Sequence, residues 1–117
     1  MLHLSSSCRY YLYHAPTDMR KGFDSLSGIV SAQMNSNIFT GDVFIFINKK
    51  RNQLKLLMWE GDGLALYYKR LEEGTYELPV HHSTTHSVSI TDQQLQLILQ
   101  GISLKSVRRR KRYQQVA

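Results

Sequence analysis

Residues 43–47 read Val-Phe-Ile-Phe-Ile and form a continuous apolar run with polar residues on both sides. A run this short, rich in β-branched and aromatic side chains, predicts a strand rather than a helix. Because no polar residue alternates with the apolar ones, neither face of the strand is suited to contact with water. We therefore expect this strand to be covered on both faces by other parts of the chain.

Further strands are predicted on either side of this run. Residues 9–13 predict a short strand, 53–59 and 64–71 predict two strands joined by a Glu-Gly-Asp-Gly turn, and 75–78 predict a last strand that Pro79 ends. Short connections of this kind favour antiparallel pairing. Side-chain alternation predicts two faces for the strand at 53–59, one with Leu54, Leu56 and Met58 and the other with Lys55, Leu57 and Trp59.

Two helices are predicted from the spacing of apolar residues. The first covers residues 18–34, with Thr17 or Asp18 as its N-cap. The second begins at Thr91-Asp92, after a His, Ser and Thr-rich segment (80–89) that we expect to be a surface loop. The apolar faces are Met19, Phe23, Leu26, Val30 and Met34 in the first helix, and Leu95, Ile98, Leu99 and Ile102 in the second.

The predicted fold is a single α+β domain: an antiparallel β-meander of four to five strands, one long N-terminal helix, one C-terminal helix and a basic tail. A chain of 117 residues with 42% hydrophobic and 21% charged residues is suited to one ordered domain. We divide it into an N-terminal extension (1–8), a folded domain (9–103) and a basic tail (104–117).

Composition excludes several classes of protein. Cys8 is the single cysteine, so neither an intrachain disulfide framework nor a cysteine-based zinc finger is available. No apolar run reaches the roughly 18 residues of a membrane span, and the first residues lack the pattern of a secretory signal. We expect a cytoplasmic protein with no membrane partner.

The positive charge is concentrated in the tail. The net charge is +6, and residues 104–117 hold six basic residues and no acidic one, so the rest of the chain is neutral overall. Such a run is either a solvated, disordered end or a segment that a polyanion neutralises, and nucleic acid is the densest such polyanion. The candidate DNA-binding residues of the tail are Arg108, Arg109, Arg110, Lys111 and Arg112.

Basic residues of the folded domain lie close to aromatic ones. Three cations project from one predicted hairpin connection, and others lie on the strands that follow. Aromatic side chains beside cations can stack bases while the cations hold phosphates, although the same pattern also describes a packed core with a solvated face. The candidate DNA-binding residues here are Arg20, Lys21, Lys49, Lys50, Arg51, Lys55, Lys69 and Arg70, and the candidate partner-binding residues are Trp59, Tyr67 and Tyr68.

Catalytic and metal sites are not favoured by the sequence. His81, His82 and His86 lack the spacing and the additional ligands of a zinc site, and His3 and His14 lie elsewhere. Carboxylates such as Asp42, Glu60 and Asp62 could gather around Mg²⁺, but each is explained by a turn or a strand end. We predict no enzyme activity, catalytic residue, metal, cofactor or small-molecule substrate.

Four ordered blocks of the sequence carry a family resemblance. They are Pro-Thr-Asp-Met-Arg-Lys-Gly-Phe-Asp (16–24), Gly-Asp-Val-Phe-Ile-Phe-Ile-Asn-Lys-Lys-Arg-Asn (41–52), Lys-Leu-Leu-Met-Trp-Glu-Gly-Asp-Gly (55–63) and Leu-Tyr-Tyr-Lys-Arg-Leu-Glu-Glu-Gly (66–74). Together they resemble the TnpB accessory proteins of bacterial insertion sequences of family 66, over about residues 9–102. Departures from the family pattern include Leu78, Glu60 and the linker Asn37-Ile38-Phe39, and the tail lies outside the pattern.

The resemblance implies a part in DNA transposition. In such elements a separate transposase of the Asp-Asp-Glu type is expected to cut and join DNA, and the small TnpB-type protein is an accessory factor without assigned catalytic residues. We therefore expect a non-catalytic accessory protein that binds DNA, the transposase, or both. The alternatives are a protein-interaction module without DNA contact, and a metal-dependent nuclease using Asp42, Glu60 and Asp62.

Overall fold

A five-stranded mixed sheet runs through the part of the chain that the structure, a computed structural model, describes: residues 8–79 and 87–100. Its strand order is β4-β3-β2-β1-β5. The elements in chain order are β1 (Tyr10–Tyr13), α1 (Phe23–Ala32), a 3-10 turn (Ile38–Thr40), β2 (Val43–Ile47), β3 (Gln53–Trp59), β4 (Leu64–Arg70), β5 (Ser87–Ile90) and α2 (Asp92–Gln100).

The pairing of β1 with β2 is parallel, so the predicted antiparallel meander is wrong, although the α+β class holds. The strands β2, β3 and β4 do form an antiparallel meander, and β5 pairs antiparallel with β1 on the other side. A parallel pair needs a long crossover connection, and the segment containing α1 provides it. The short turns after residue 43 indicate antiparallel pairing only for the strands that they join, and β1 is followed by a helix instead.

The two faces of the sheet are each covered by one helix. Alternate residues of β2 point to opposite sides, which explains why every residue of this strand is buried, as predicted. The α1 face contains Leu26, Val30, Met34, Phe44, Phe46 and Leu57. The α2 face contains Tyr10, Leu12, Val43, Ile45, Ile47, Leu54, Leu56, Met58, Tyr76, Ile90, Leu95 and Ile98.

Helix α1 is shorter than the predicted 18–34. The Asp18 carboxylate accepts a hydrogen bond from the Arg20 backbone N–H at 2.9 Å instead of capping the helix. The N-cap is Gly22, which has extended backbone angles and no side-chain cap. Met34 is buried with Leu26 and Val30 although it follows the end of the helix, and the next residue, Asn35, takes a left-handed conformation (φ 50°).

Two further predictions, one of a strand and one of a loop, are wrong. Residues 75–79 have no regular secondary structure, because the Tyr76 N–H donates to the Arg51 carbonyl in the β2–β3 turn at 2.7 Å and not to a strand. Residues 87–89, predicted as loop, belong to β5, where Ser87 pairs with Tyr13 and Ile90 with Tyr10. In this segment Val88 and Ile90 alternate with Ser87 and Ser89, which is a strand pattern. The polar composition of the surrounding residues led to the prediction of a loop instead.

Helix α2 begins where the sequence predicts. Thr91 Oγ1 accepts the Gln94 N–H at 3.0 Å, and the Gln94 side chain accepts the Thr91 N–H at 2.9 Å, which is a capping box. Ile102 and the basic tail lie outside the described residues. Within the described residues, no helix combines the length and apolarity that crossing a membrane requires.

Candidate nucleic-acid interface

Among the described residues, most of the predicted DNA-binding cations lie at one end of the sheet. Because β1 and β2 are parallel, their carboxyl ends meet at the same edge, and the segments that follow them lie side by side. The Thr17 N–H donates to the Ile47 carbonyl at 2.9 Å, which joins these two segments. The end of β4 lies at the same edge, since Gln53 pairs with Arg70. We call this region, residues 14–22, 48–53 and 69–70, the basic end.

The turn between β2 and β3 is held by asparagine side chains. Asn48 Oδ1 accepts the N–H groups of Asn52 at 3.0 Å and Gln53 at 2.9 Å, and Asn48 Nδ2 donates to Asn52 Oδ1 at 2.7 Å. The Arg51 N–H closes the turn on the Asn48 carbonyl at 3.0 Å. This network fixes the backbone that carries Lys49, Lys50 and Arg51, whose side chains are exposed. The cations of this turn were predicted from the sequence but the role of the two asparagines was not, although Asn flanking a turn is a usable signal.

A cleft of about 440 Å³ opens between the two segments of the basic end. Its cationic wall is made by Lys49 and Lys50, and Asp18 lies on the opposite segment. The complete lining is Pro16, Thr17, Asp18, Met19, Asn48, Lys49, Lys50 and Gln53. Within the described residues the ammonium groups of Lys21, Lys49, Lys50 and Lys69 and the Arg51 guanidinium make no ion pair. Their charge is therefore available to an anion.

Arg20 is already paired with Asp18. The guanidinium contacts the carboxylate at 2.7 to 3.1 Å, and the Arg20 side chain is 91% exposed. Hydrogen bonds from the Arg20 side chain, followed by that from its backbone N–H, lower the pKa of Asp18 to about 2. The same contact raises the pKa of Arg20. Asp18 is thus ionised at neutral pH and cancels one positive charge at the basic end.

Lys55 differs from the other predicted DNA-binding residues because it is only 6% exposed. Its ammonium donates to the carbonyl oxygens of Met19 at 2.8 Å and Lys21 at 2.7 Å. It also lies 4.7 Å from the centre of the Tyr68 ring, a cation–π contact. The structure therefore places Lys55 as an internal tie between β3 and the loop that carries Arg20 and Lys21.

The three predicted partner-binding aromatics do not share one surface. Tyr67 is half-buried against the α2 face, whereas Tyr68 lies on the α1 face and is 52% exposed. The Tyr68 hydroxyl donates to Gln53 Oε1 at the basic end. Arg70, two residues further along β4, is exposed and contacts Glu72 at 3.3 Å. Trp59 lies at the opposite end of the sheet.

Trp59 belongs to a second surface, the aromatic end, formed by residues 37–42 and 59–63. The Phe39 ring is 62% exposed and packs edge-on against Trp59, with ring centres 5.1 Å apart. Asn37 Oδ1 accepts the Phe39 N–H at 2.9 Å, and Gly41 ends the 3-10 turn with φ 86°. Phe39 was predicted only as part of a linker, because neither the periodicity nor the composition of the sequence indicates which apolar side chains are exposed.

The carboxylates considered for a nuclease do not form a metal site. Asp42 accepts hydrogen bonds from the Arg9 side chain at 3.3 and 3.2 Å and from Thr40 Oγ1 at 2.8 Å, which commits it to the fold. Glu60 and Asp62 are exposed in the β3–β4 turn. Among the described residues, no group of three or more His, Cys, Asp or Glu side chains could hold a metal ion. His14 is exposed, and the other four histidines lie outside the described residues.

A small α+β domain with cations at one end of its mixed sheet and exposed aromatics at the other is suited to binding macromolecules. Comparison with known families is more specific: the model of the family described as IS66 Orf2 like protein matches residues 8–109. The chain belongs to this family, which confirms the resemblance found in the sequence.

Two curated relatives come from Sinorhizobium fredii (strain NBRC 101917 / NGR234). The one named uncharacterized protein y4jC is 28% identical over 111 residues, covering 94% of this chain and 92% of the relative. The one named uncharacterized protein y4hO is 31% identical over 102 residues, covering 87% of each. No solved structure matches the chain.

Family membership makes the chain a transposition-associated accessory protein that takes part in the transposition machinery of an insertion sequence.

Proposed function

We propose that this accessory protein is non-catalytic and binds the DNA phosphate backbone through its basic end. The observation that carries the proposal is the turn at 48–52, which holds three exposed cations on a backbone fixed by asparagine hydrogen bonds. Lys21 and Lys69 add charge without an acidic partner in the part of the chain described. Phosphate contacts of this kind position a protein on DNA and carry little sequence information.

The basic tail is included in the proposed interface only because of its charge. Arg108, Arg109, Arg110, Lys111 and Arg112 lie outside the described residues, and their arginine and lysine side chains are the types that neutralise phosphate. Replacing all five by glutamine in the full chain is expected to weaken DNA binding equally for unrelated sequences and to flatten its salt dependence. Unchanged affinity would remove the tail from the interface.

The direct test is a salt titration of binding to a short labelled duplex. The triple variant Lys49→Gln, Lys50→Gln, Arg51→Gln is compared with wild type by fluorescence anisotropy. The slope of log K against log salt is negative, and it is expected to become shallower by about 0.9 for every phosphate that the variant no longer neutralises. The matched control, Glu60→Gln with Asp62→Asn, changes charge at the aromatic end and is expected to leave affinity nearly unchanged. A triple variant that binds like wild type would disprove the proposed interface.

A second candidate function is docking of the element's own Asp-Asp-Glu transposase at the aromatic end. A phenylalanine that is 62% exposed yet fixed by the Asn37 and Thr40 hydrogen bonds favours this function. Rigid exposed aromatics are typical anchors of protein interfaces. Phe39→Ala is expected to reduce capture of the transposase in high salt with nuclease present, and the triple glutamine variant is expected to leave that capture intact. Equal capture by both variants and wild type would exclude this surface.

A further inference from the structure

Tyr68 is an aromatic residue held in place but left open to solvent at the basic end. Its register neighbours Lys55 on β3 and Phe46 on β2 are buried, whereas Tyr68 is 52% exposed. The hydroxyl is tied to Gln53 Oε1, and the ring centre is 4.7 Å from the Lys55 ammonium. The ring therefore keeps one orientation while much of its surface remains free.

Cations lie around this ring. Arg70 is two residues along the same strand, so its side chain leaves from the same face of the sheet. That side chain is 64% exposed and contacts Glu72 at 3.3 Å in an exposed ion pair. The loop carrying Arg20 and Lys21 passes beside the ring, because the Lys55 ammonium that contacts the ring also binds the Lys21 carbonyl. Gln53, which holds the hydroxyl, also lines the cleft of Lys49 and Lys50. The ring and the cations of the basic end thus form one continuous surface.

We infer that this surface binds single-stranded DNA, with an unpaired base stacked on Tyr68 and its flanking phosphates on the cations of the basic end. An aromatic ring accepts the face of any unpaired base, and cations beside it hold the backbone. Bases inside a duplex are stacked on one another, so they do not offer a face to Tyr68. A protein anchor is less suited to this position, since charged residues are depleted in the core of protein interfaces. This inference rests on the proposed function and names its substrate class.

The test uses the full chain with a labelled oligothymidylate and a labelled duplex of equal length. Tyr68→Ala is expected to weaken single-strand binding about 5- to 100-fold, the effect of losing one stacked base. The same substitution is expected to leave duplex binding nearly unchanged. Tyr68→Phe keeps the ring and is expected to retain most of the single-strand affinity. Phe39→Ala, which removes an exposed ring at the opposite end, is the matched control and is expected to change neither affinity.

The outcomes separate this inference from the function on which it rests. If wild type binds duplex but not the single strand, or if Tyr68→Ala weakens both equally, the stacking role is disproved and the phosphate interface stands. If Tyr68→Phe loses as much as Tyr68→Ala, the hydroxyl and not the ring is responsible, and stacking is again disproved. If wild type binds neither ligand, the proposed function itself fails.

Discussion

At the scale of single residues, Arg51 occupies a position that favours glycine or asparagine. Its φ of 57° is left-handed, a conformation that costs an ordinary L residue about 1 to 2 kcal/mol. Glycine or asparagine is the usual choice at such a turn position. An arginine that keeps this conformation exposes its charge beside Lys49 and Lys50, which fits a phosphate-binding turn better than a purely structural one.

Arg51→Gly is therefore expected to raise the free energy of unfolding by up to about 1 kcal/mol while weakening DNA binding. Urea unfolding and anisotropy measure the two effects. Lys50→Gly is the matched control, since it removes the same charge from a residue that has a negative φ. It is expected to weaken DNA binding similarly but to lower stability. Equal stability changes for the two variants would show that the backbone of Arg51 is not strained.

Asp18 reduces the charge of the basic end, and its removal tests that effect. Asp18→Asn releases Arg20, so we expect tighter DNA binding and a salt slope steeper by about 0.9, the effect of neutralising one more phosphate. Arg20→Gln is the opposite change and is expected to weaken binding, because it leaves the ionised Asp18 carboxylate without its partner at the basic end. An Asp18→Asn variant with unchanged affinity would place Arg20 outside the interface.

The pH dependence of the Asp18 pair follows from its lowered pKa. The folded pKa is about 2 and the ordinary value is 3.8, so the pair contributes its stability fully above about pH 4 and loses it as pH falls toward 2. Asp18 therefore stays ionised between pH 5 and 8 (about one unit or more above either pKa). We expect the difference in DNA affinity between wild type and Asp18→Asn to be constant over that interval. A difference that disappears at the acid end would contradict the assignment.

At the scale of elements, Lys55 ties the loop before α1 to strand β3. Lys55→Met keeps the aliphatic volume but leaves the carbonyl groups of Met19 and Lys21 without their donor. We expect the free energy of unfolding to fall by about 2 kcal/mol or more, and DNA binding to weaken because Arg20 and Lys21 lose their fixed position. Urea unfolding and anisotropy report the two effects.

Lys69→Met is the control for Lys55→Met. It removes the same charge from the neighbouring strand, where the ammonium makes no ion pair within the described residues. The free energy of unfolding of Lys69→Met is expected to stay close to that of wild type. The DNA affinity of this variant is expected to fall by the contribution of one neutralised phosphate. Equal destabilisation by the two substitutions would show that the Lys55 hydrogen bonds contribute nothing specific.

The elements that could be predicted were those whose signal is local. The apolar run of β2, the alternation in β3 and the Thr91 cap of α2 each depend on a few neighbouring residues. The parallel pairing of β1 and the strand β5 depend on contacts between distant segments, which periodicity does not report. Lys55 shows the same limit within the site: a lysine on a strand predicts exposure, and its two acceptors lie 36 and 34 residues away.

At the scale of the whole molecule, the parallel pair β1–β2 gives the domain two different ends. The loops that follow the two strands meet at the basic end, and the segments that precede them meet at the aromatic end, where Arg9 pairs with Asp42. The net charge of zero over residues 1–103 thus conceals a cluster of exposed cations in the 48–52 turn, next to which the segment carrying Glu72 lies. DNA at one end and a protein at the other is an arrangement that two such different ends allow.

The most direct test of this account is hydrogen–deuterium exchange of the full chain with and without DNA. We predict slower exchange in peptides that cover residues 14–22 and 48–53, and unchanged exchange in those that cover 37–42 and 59–63. Added protection in residues 104–117 is consistent with the proposed tail contact. Protection confined to the tail, or protection at the aromatic end instead of the basic end, would contradict the account.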